Sequence, residues 1–86
     1  MVKFMVDVKS VVRDFIKNNF LYASDIDSLG DDDSFTQKGI IDSTGVLELI
    51  DFLEENYEIV IENDEVIPDN LDSLNRIERY ITSKIE

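Results

Sequence analysis

The residues best placed to do chemistry are Asp42 and Ser43, where a long polar connection meets the start of an acidic helical pattern. The chain has no histidine and no lysine close by in sequence to act as a base, so Ser43 is not a self-activated nucleophile. Its hydroxyl is instead suited to modification by another enzyme. A serine at a helix start is exposed and rigidly presented, and a phosphodiester attached there lies at the positive end of the helix dipole. The plainer role for Asp42 or Ser43 is to cap the helix, a side-chain oxygen accepting from an orphan backbone N–H. The absence of cysteine and histidine also excludes disulfides, thiolate or imidazole zinc sites, cysteine nucleophiles and Ser-His-Asp triads. No resident metal is expected.

Thr44, Glu48, Asp51 and Glu55 follow Ser43 at spacings of four, three and four, which puts them on one helical face beside it. The surrounding charge is uneven. The 86 residues carry a net charge of -12, yet residues 1–20 are net positive, and residues 42–65 hold nine acids and no base. That field repels nucleic acid and anionic membrane surfaces. It favours basic surfaces on partner proteins, with gains in encounter rate and specificity more than in affinity. There is no apolar run of membrane-spanning length and no secretory leader pattern, so the expected compartment is the cytoplasm.

These residues need a scaffold, and the length allows one domain over 1–86. The apolar period predicts a first amphipathic helix over 3–20 and a long connection over 21–41. Leu21, Ile26, Leu29, Phe35, Ile40 and Ile41 should pin that connection to the core. The clearest helix spans 43–57, with Val46, Leu47, Leu49, Ile50, Leu53 and Tyr57 as its apolar stripe. An extended connector follows from Glu58, with a turn near 64–67 and room for a short fourth helix before Pro68. Pro68 itself reads as a break. A last helix runs over 72–84 on Leu74, Ile77, Ile81 and Ile85. The expected fold class is all-α, a small bundle of three to four helices with a long loop between the first two.

In this setting Asp42-Ser43, then Val46-Leu47-Glu48-Leu49-Ile50, Leu53-Glu54-Glu55 and Tyr57, resembles the acyl carrier protein family. Ile61-Glu62-Asn63-Asp64-Glu65, Leu71-Asp72-Ser73-Leu74 and Ile77-Glu78-Arg79-Tyr80-Ile81 sit where that family would put them, so the resemblance spans nearly the whole chain. It implies that Ser43 is the attachment point for 4′-phosphopantetheine, moved from coenzyme A by a phosphopantetheinyl transferase. It implies that Asp42 assists attachment, with magnesium belonging to the transferase complex. The chain would then be no enzyme but a monomeric carrier of acyl or aminoacyl thioesters. Its partners would be a loading ligase and downstream synthases or transferases, docking on Thr44, Glu48, Asp51 and Glu55. The family's interior can also shelter an acyl chain.

Three departures from the family pattern favour a specialised carrier over a housekeeping fatty-acid one. Thr44 replaces the usual leucine, Gly45 the usual polar residue, and Asp51 an apolar contact. The cargo is left open among fatty acyl, polyketide, D-alanyl and peptidyl groups. A cofactor-free acidic adaptor would share every feature except modification of Ser43. A calcium loop at Asp25-Ile26-Asp27-Ser28-Leu29-Gly30 fails, because Leu29 falls where an oxygen ligand is required and Thr36 where a bidentate glutamate is.

Overall fold

A computed structural model of the chain describes residues 7–20 and 29–85. Within them lie four α-helices, α1 (Val8–Asn19), α2 (Ser43–Tyr57), α3 (Pro68–Leu71) and α4 (Leu74–Ile85), with a 3-10 turn at Asn63–Glu65. The all-α reading holds: no strand occurs among the described residues. No helix among them is long and apolar enough to cross a membrane.

Helix α1 starts later than the periodicity suggested. Asp7 is its N-cap, its carboxylate accepting from the Lys9 N–H at 3.1 Å and from the Ser10 hydroxyl at 3.1 Å. The apolar stripe continues upstream of that cap, but a side chain satisfying the first-turn donors fixes the boundary. Positions 3–6 lie outside the described residues, as do Leu21 and Ile26. Val8, Val12 and Ile16 recur every four residues and are the buried stripe of α1, which packs on α4.

Helix α4 begins two residues later than expected. Ser73 is buried and its hydroxyl accepts from the Arg76 N–H at 3.1 Å, so Ser73 caps the helix and Asp72 is freed for another task. The carboxylate of Asp72 accepts from the Ser34 hydroxyl and from the Thr36 N–H, the latter at 3.1 Å. Its carbonyl accepts from the Phe35 N–H at 3.1 Å. One residue therefore clamps the middle of the α1–α2 connection onto the α3–α4 corner.

The connection is an ordered strap over 29–42. Leu29, Phe35, Ile40 and Ile41 are buried, as their apolar character predicted. Each aspartate of 31–33 has a protein donor. Asp31 accepts from Lys9 at 3.2 Å and Arg13 at 3.3 Å, Asp32 from the Asn75 amide at 2.7 Å, and Asp33 from the Gly30 N–H at 2.7 Å. This run is thus a structural staple to α1 and α4. Among the described residues no cluster of acidic side chains is arranged to hold a metal ion.

Pro68 is the clearest misreading of a local signal. It opens α3, and the short helix follows the proline where the sequence placed it before. At the first helical position the missing N–H is one that would be unsatisfied anyway, and the fixed φ suits a helix.

Candidate functional site

The site is built on the first turn of α2. Asp42 is extended, and its Oδ1 accepts from the Gly45 N–H at 2.8 Å, so the aspartate is the cap. That leaves Ser43 at the first helical position with an exposed side chain. The Ser43 and Thr44 amides belong to the turn whose N–H groups lack intrahelical carbonyls.

Thr44, Glu48, Asp51 and Glu55 are all exposed, and α2 brings them to the face that also carries Ser43. The opposite face, Gly45, Leu49, Leu53 and Tyr57, is buried. Leu47 corrects the sequence reading, which placed it in the core. It is 63% exposed. At 100° per residue it lies about 160° from Leu49 and one turn above Ser43, so it adds a large apolar side chain to the acidic face.

A glycine in a first turn ordinarily weakens a helix, yet Gly45 is buried under Phe20, the C-cap of α1. A Cβ at Gly45 would lie 2.7 Å from Phe20 Cε1 and 3.0 Å from Ile41 Cγ2. Phe20 meets Phe15 edge to face at 5.9 Å, and Phe15 stacks on Phe52 of α2 at 4.2 Å. An aromatic wedge therefore ties the end of α1 to the turn that presents Ser43. Gly45→Ala is expected to reverse the usual helix-propensity gain of about 1 kcal/mol. Overpacking costs about 1–3 kcal/mol, so the urea midpoint should fall by about 1 kcal/mol equivalent. A raised midpoint would contradict the contact.

On the other side of α2 runs an apolar groove of about 160 Å³. Ile41, Val46 and Leu49 form its α2 side, Val66, Ile67 and Pro68 the opposite wall, and Phe35 and Leu71 its floor. Ile41 and Val46 flank Ser43 in the chain, so the groove opens near the site. Sequence reasoning did not find it, because its lining comes from four separate segments.

The far wall is fastened by Glu65. Its Oε1 accepts from the Glu62 N–H at 2.9 Å, the Lys84 ammonium at 2.9 Å and the Tyr80 hydroxyl at 3.1 Å. The Glu62 N–H first, and the Lys84 ammonium next, hold the Glu65 carboxyl below the ordinary glutamate value of 4.5. Burial, and then the Glu65 carboxylate, push the Tyr80 phenol well up. A carboxyl with a lowered folded pKa contributes stability that is whole above 4.5 and is lost as pH falls through the lower folded value. Glu65→Gln should therefore be less stable than the parent chain at about pH 6, and the gap should be smaller at about pH 3, below the ordinary value. Paired urea titrations at the two pH values check this.

No family model matches the chain, and neither a curated protein nor a solved structure matches it. The fold and the site thus define a small acidic helical bundle with an exposed serine at the head of its most acidic helix.

Proposed function

We propose that the chain is a carrier protein whose Ser43 hydroxyl receives 4′-phosphopantetheine from coenzyme A through a separate transferase. The single observation that carries the reading is the division of labour at the head of α2. Asp42 does the capping, and Ser43 is left exposed at the helix start, its hydroxyl making no hydrogen bond among the described residues.

The surroundings fit such an arm. A phosphodiester on Ser43 would lie where the first-turn amides and the helix dipole favour negative charge. Asp42, next in the chain, is exposed and available to the magnesium of the transferase complex. The arm supplies the thiol that this cysteine-free chain lacks, and acyl or aminoacyl cargo travels on it as a thioester. The apolar groove beside Val46 offers such cargo partial shelter. The chain itself holds and presents; loading and unloading belong to its partners.

Those partners dock on Thr44, Glu48, Asp51 and Glu55 with basic side chains. Each such rim contact contributes about 1 kcal/mol or less, which suits a shuttle that must release every partner. Leu47, exposed between Ser43 and these residues around α2, supplies an apolar contact, as partner interfaces commonly combine the two.

Intact mass of the purified chain, before and after incubation with coenzyme A, magnesium and a promiscuous phosphopantetheinyl transferase, tests the proposal. One added phosphopantetheine supports it. No addition to a folded chain overturns it and leaves an acidic adaptor for basic proteins as the better account.

A further inference from the structure

The exposed face of α2 has two edges. One borders the apolar groove beside Val46, and the other runs along α1, where two shallow depressions meet. Phe15, Phe52, Asp51 and Glu55 line the first, of about 280 Å³. Phe20, Ile40 and Thr44 line much of the second, of about 250 Å³. Asn19 and Glu48 border both, so the two form one groove along the α1–α2 seam.

The floor of the first depression is aromatic. Phe15 and Phe52 stack at 4.2 Å with their planes 16° apart, and both residues are half-buried. Asn19 does not close over them, because its amide donates to the Phe15 carbonyl at 2.8 Å, back along its own helix. The rim is anionic and unmatched. Phe52 follows Glu48 by four residues and precedes Glu55 by three, so carboxylates flank its ring along α2. Glu48, Asp51 and Glu55 make no ion pair among the described residues, whereas Lys9, Arg13, Lys38 and Lys84 each pair with a carboxylate elsewhere. Lys17 stands between Phe15 and Asn19 in sequence, but at 100° per residue it lies about 160° round α1 from both.

Carboxylates alone attract ammonium and guanidinium alike, and the rings are what select between them. A guanidinium is planar and weakly hydrated, so it lies against aromatic rings and still reaches carboxylates with its forked donors. An ammonium is compact and holds its water more tightly. The adjoining depression, with Ile40 buried and Phe20 half-buried in it, suits an apolar side chain next to that cation.

We propose that the α1–α2 seam is a docking groove for an arginine of a partner protein, its guanidinium lying against the Phe15–Phe52 pair and paired with the flanking carboxylates. The groove recruits α1, which the acidic spacing of α2 does not reveal. That the partner loads or unloads a carrier rests on the carrier reading. The preference for guanidinium is a property of the unmodified protein and is tested on it, so this result and the mass measurement succeed or fail separately.

The experiment titrates the unmodified chain with acetylated, amidated tetra-arginine and tetra-lysine at one ionic strength, following chemical shifts. Tetra-arginine is expected to move the ring signals of Phe15 and Phe52 and the Asn19 amide, and to bind at least about threefold tighter than tetra-lysine. Phe52→Leu keeps an apolar side chain and loses the ring. It should bring tetra-arginine down to the tetra-lysine affinity and leave tetra-lysine within about twofold of its parent value. Phe15→Leu is the second variant with the same expected result, and the comparison of peptides on the parent chain stands without either. Equal affinity of the parent chain for the two peptides overturns the groove. So do ring signals that stay in place while Leu47 and Asp51 shift, which would put the cations on the outer face of α2. Folded Phe52→Leu and Phe15→Leu chains that both keep the arginine preference overturn it as well.

Discussion

Ser43→Ala is expected to gain no mass under conditions that convert the parent chain completely, while folding to the same stability within about 0.5 kcal/mol. Both halves of that result come from the head of α2. The cap is the Asp42 carboxylate on the Gly45 N–H, so removing the Ser43 hydroxyl costs no capping bond. Loss of a true cap would cost about 1 kcal/mol. Alanine is also the strongest helix former and sits easily at the first helical position. The expected effect is thus all-or-none on modification and close to nil on folding. Intact mass reads the first and urea titration the second. A variant that still gains the group would move the attachment elsewhere and sink the assignment of Ser43. A variant that fails to fold would show that the serine, and not the aspartate, closes the helix.

The second large effect concerns stability. Phe35 is 1% exposed although the described residues of its connection, 29–42, include no helix or strand. Its backbone is held at both ends: its N–H donates to the Asp72 carbonyl at 3.1 Å, and its carbonyl accepts from the Ile40 N–H at 2.9 Å. The ring fills the space under the groove, where Ile41, Leu49 and Leu71 meet it. Phe35→Ala leaves that backbone frame in place and removes the ring, so the site cannot easily collapse around the gap. Such truncations cost about 3–5 kcal/mol. A domain of this size has roughly 4–13 kcal/mol in total, so the variant should lose a large share of its cooperative transition at 37 °C. Chemical denaturation at low temperature gives the number. A loss below about 1 kcal/mol would mean that the ring is not the anchor of the connection.

Much of the site was legible because its signals are local. An aspartate before an apolar period marked the start of α2, and the expected span 43–57 is the observed one. Spacing by three and four put Thr44, Glu48, Asp51 and Glu55 on the exposed face. The failures also have physical causes. Leu47 stands in an apolar run, 46–47 and 49–50, interrupted only by Glu48 and wide enough to overrun the buried arc of a helix. Pro68 was read as a terminator although proline also begins helices. Asp7 and Ser73 displaced two helix starts because capping, not periodicity, ends the hydrogen-bond ladder. The Phe20–Gly45 contact and the Tyr80–Glu65 hydrogen bond join residues 25 and 15 apart, and no local pattern encodes either. Gly45 was visible only as a poor helix former, which is the opposite of its effect here.

The charge on α2 has a consequence for the bundle as a whole. The helix has no basic residue in its last turn, where its dipole favours cations, and Glu54, Glu55 and Glu58 crowd that end. The isolated chain thus carries electrostatic strain in the element that presents Ser43. Under the carrier proposal, a basic partner settling on this face would relieve that strain as it binds, and docking and folding would be thermodynamically linked. At a hundred times its dissociation constant such a partner raises the stability of the bundle by about 2.7 kcal/mol. On that proposal the most acidic helix is firmest while a partner holds it and loosest when none does.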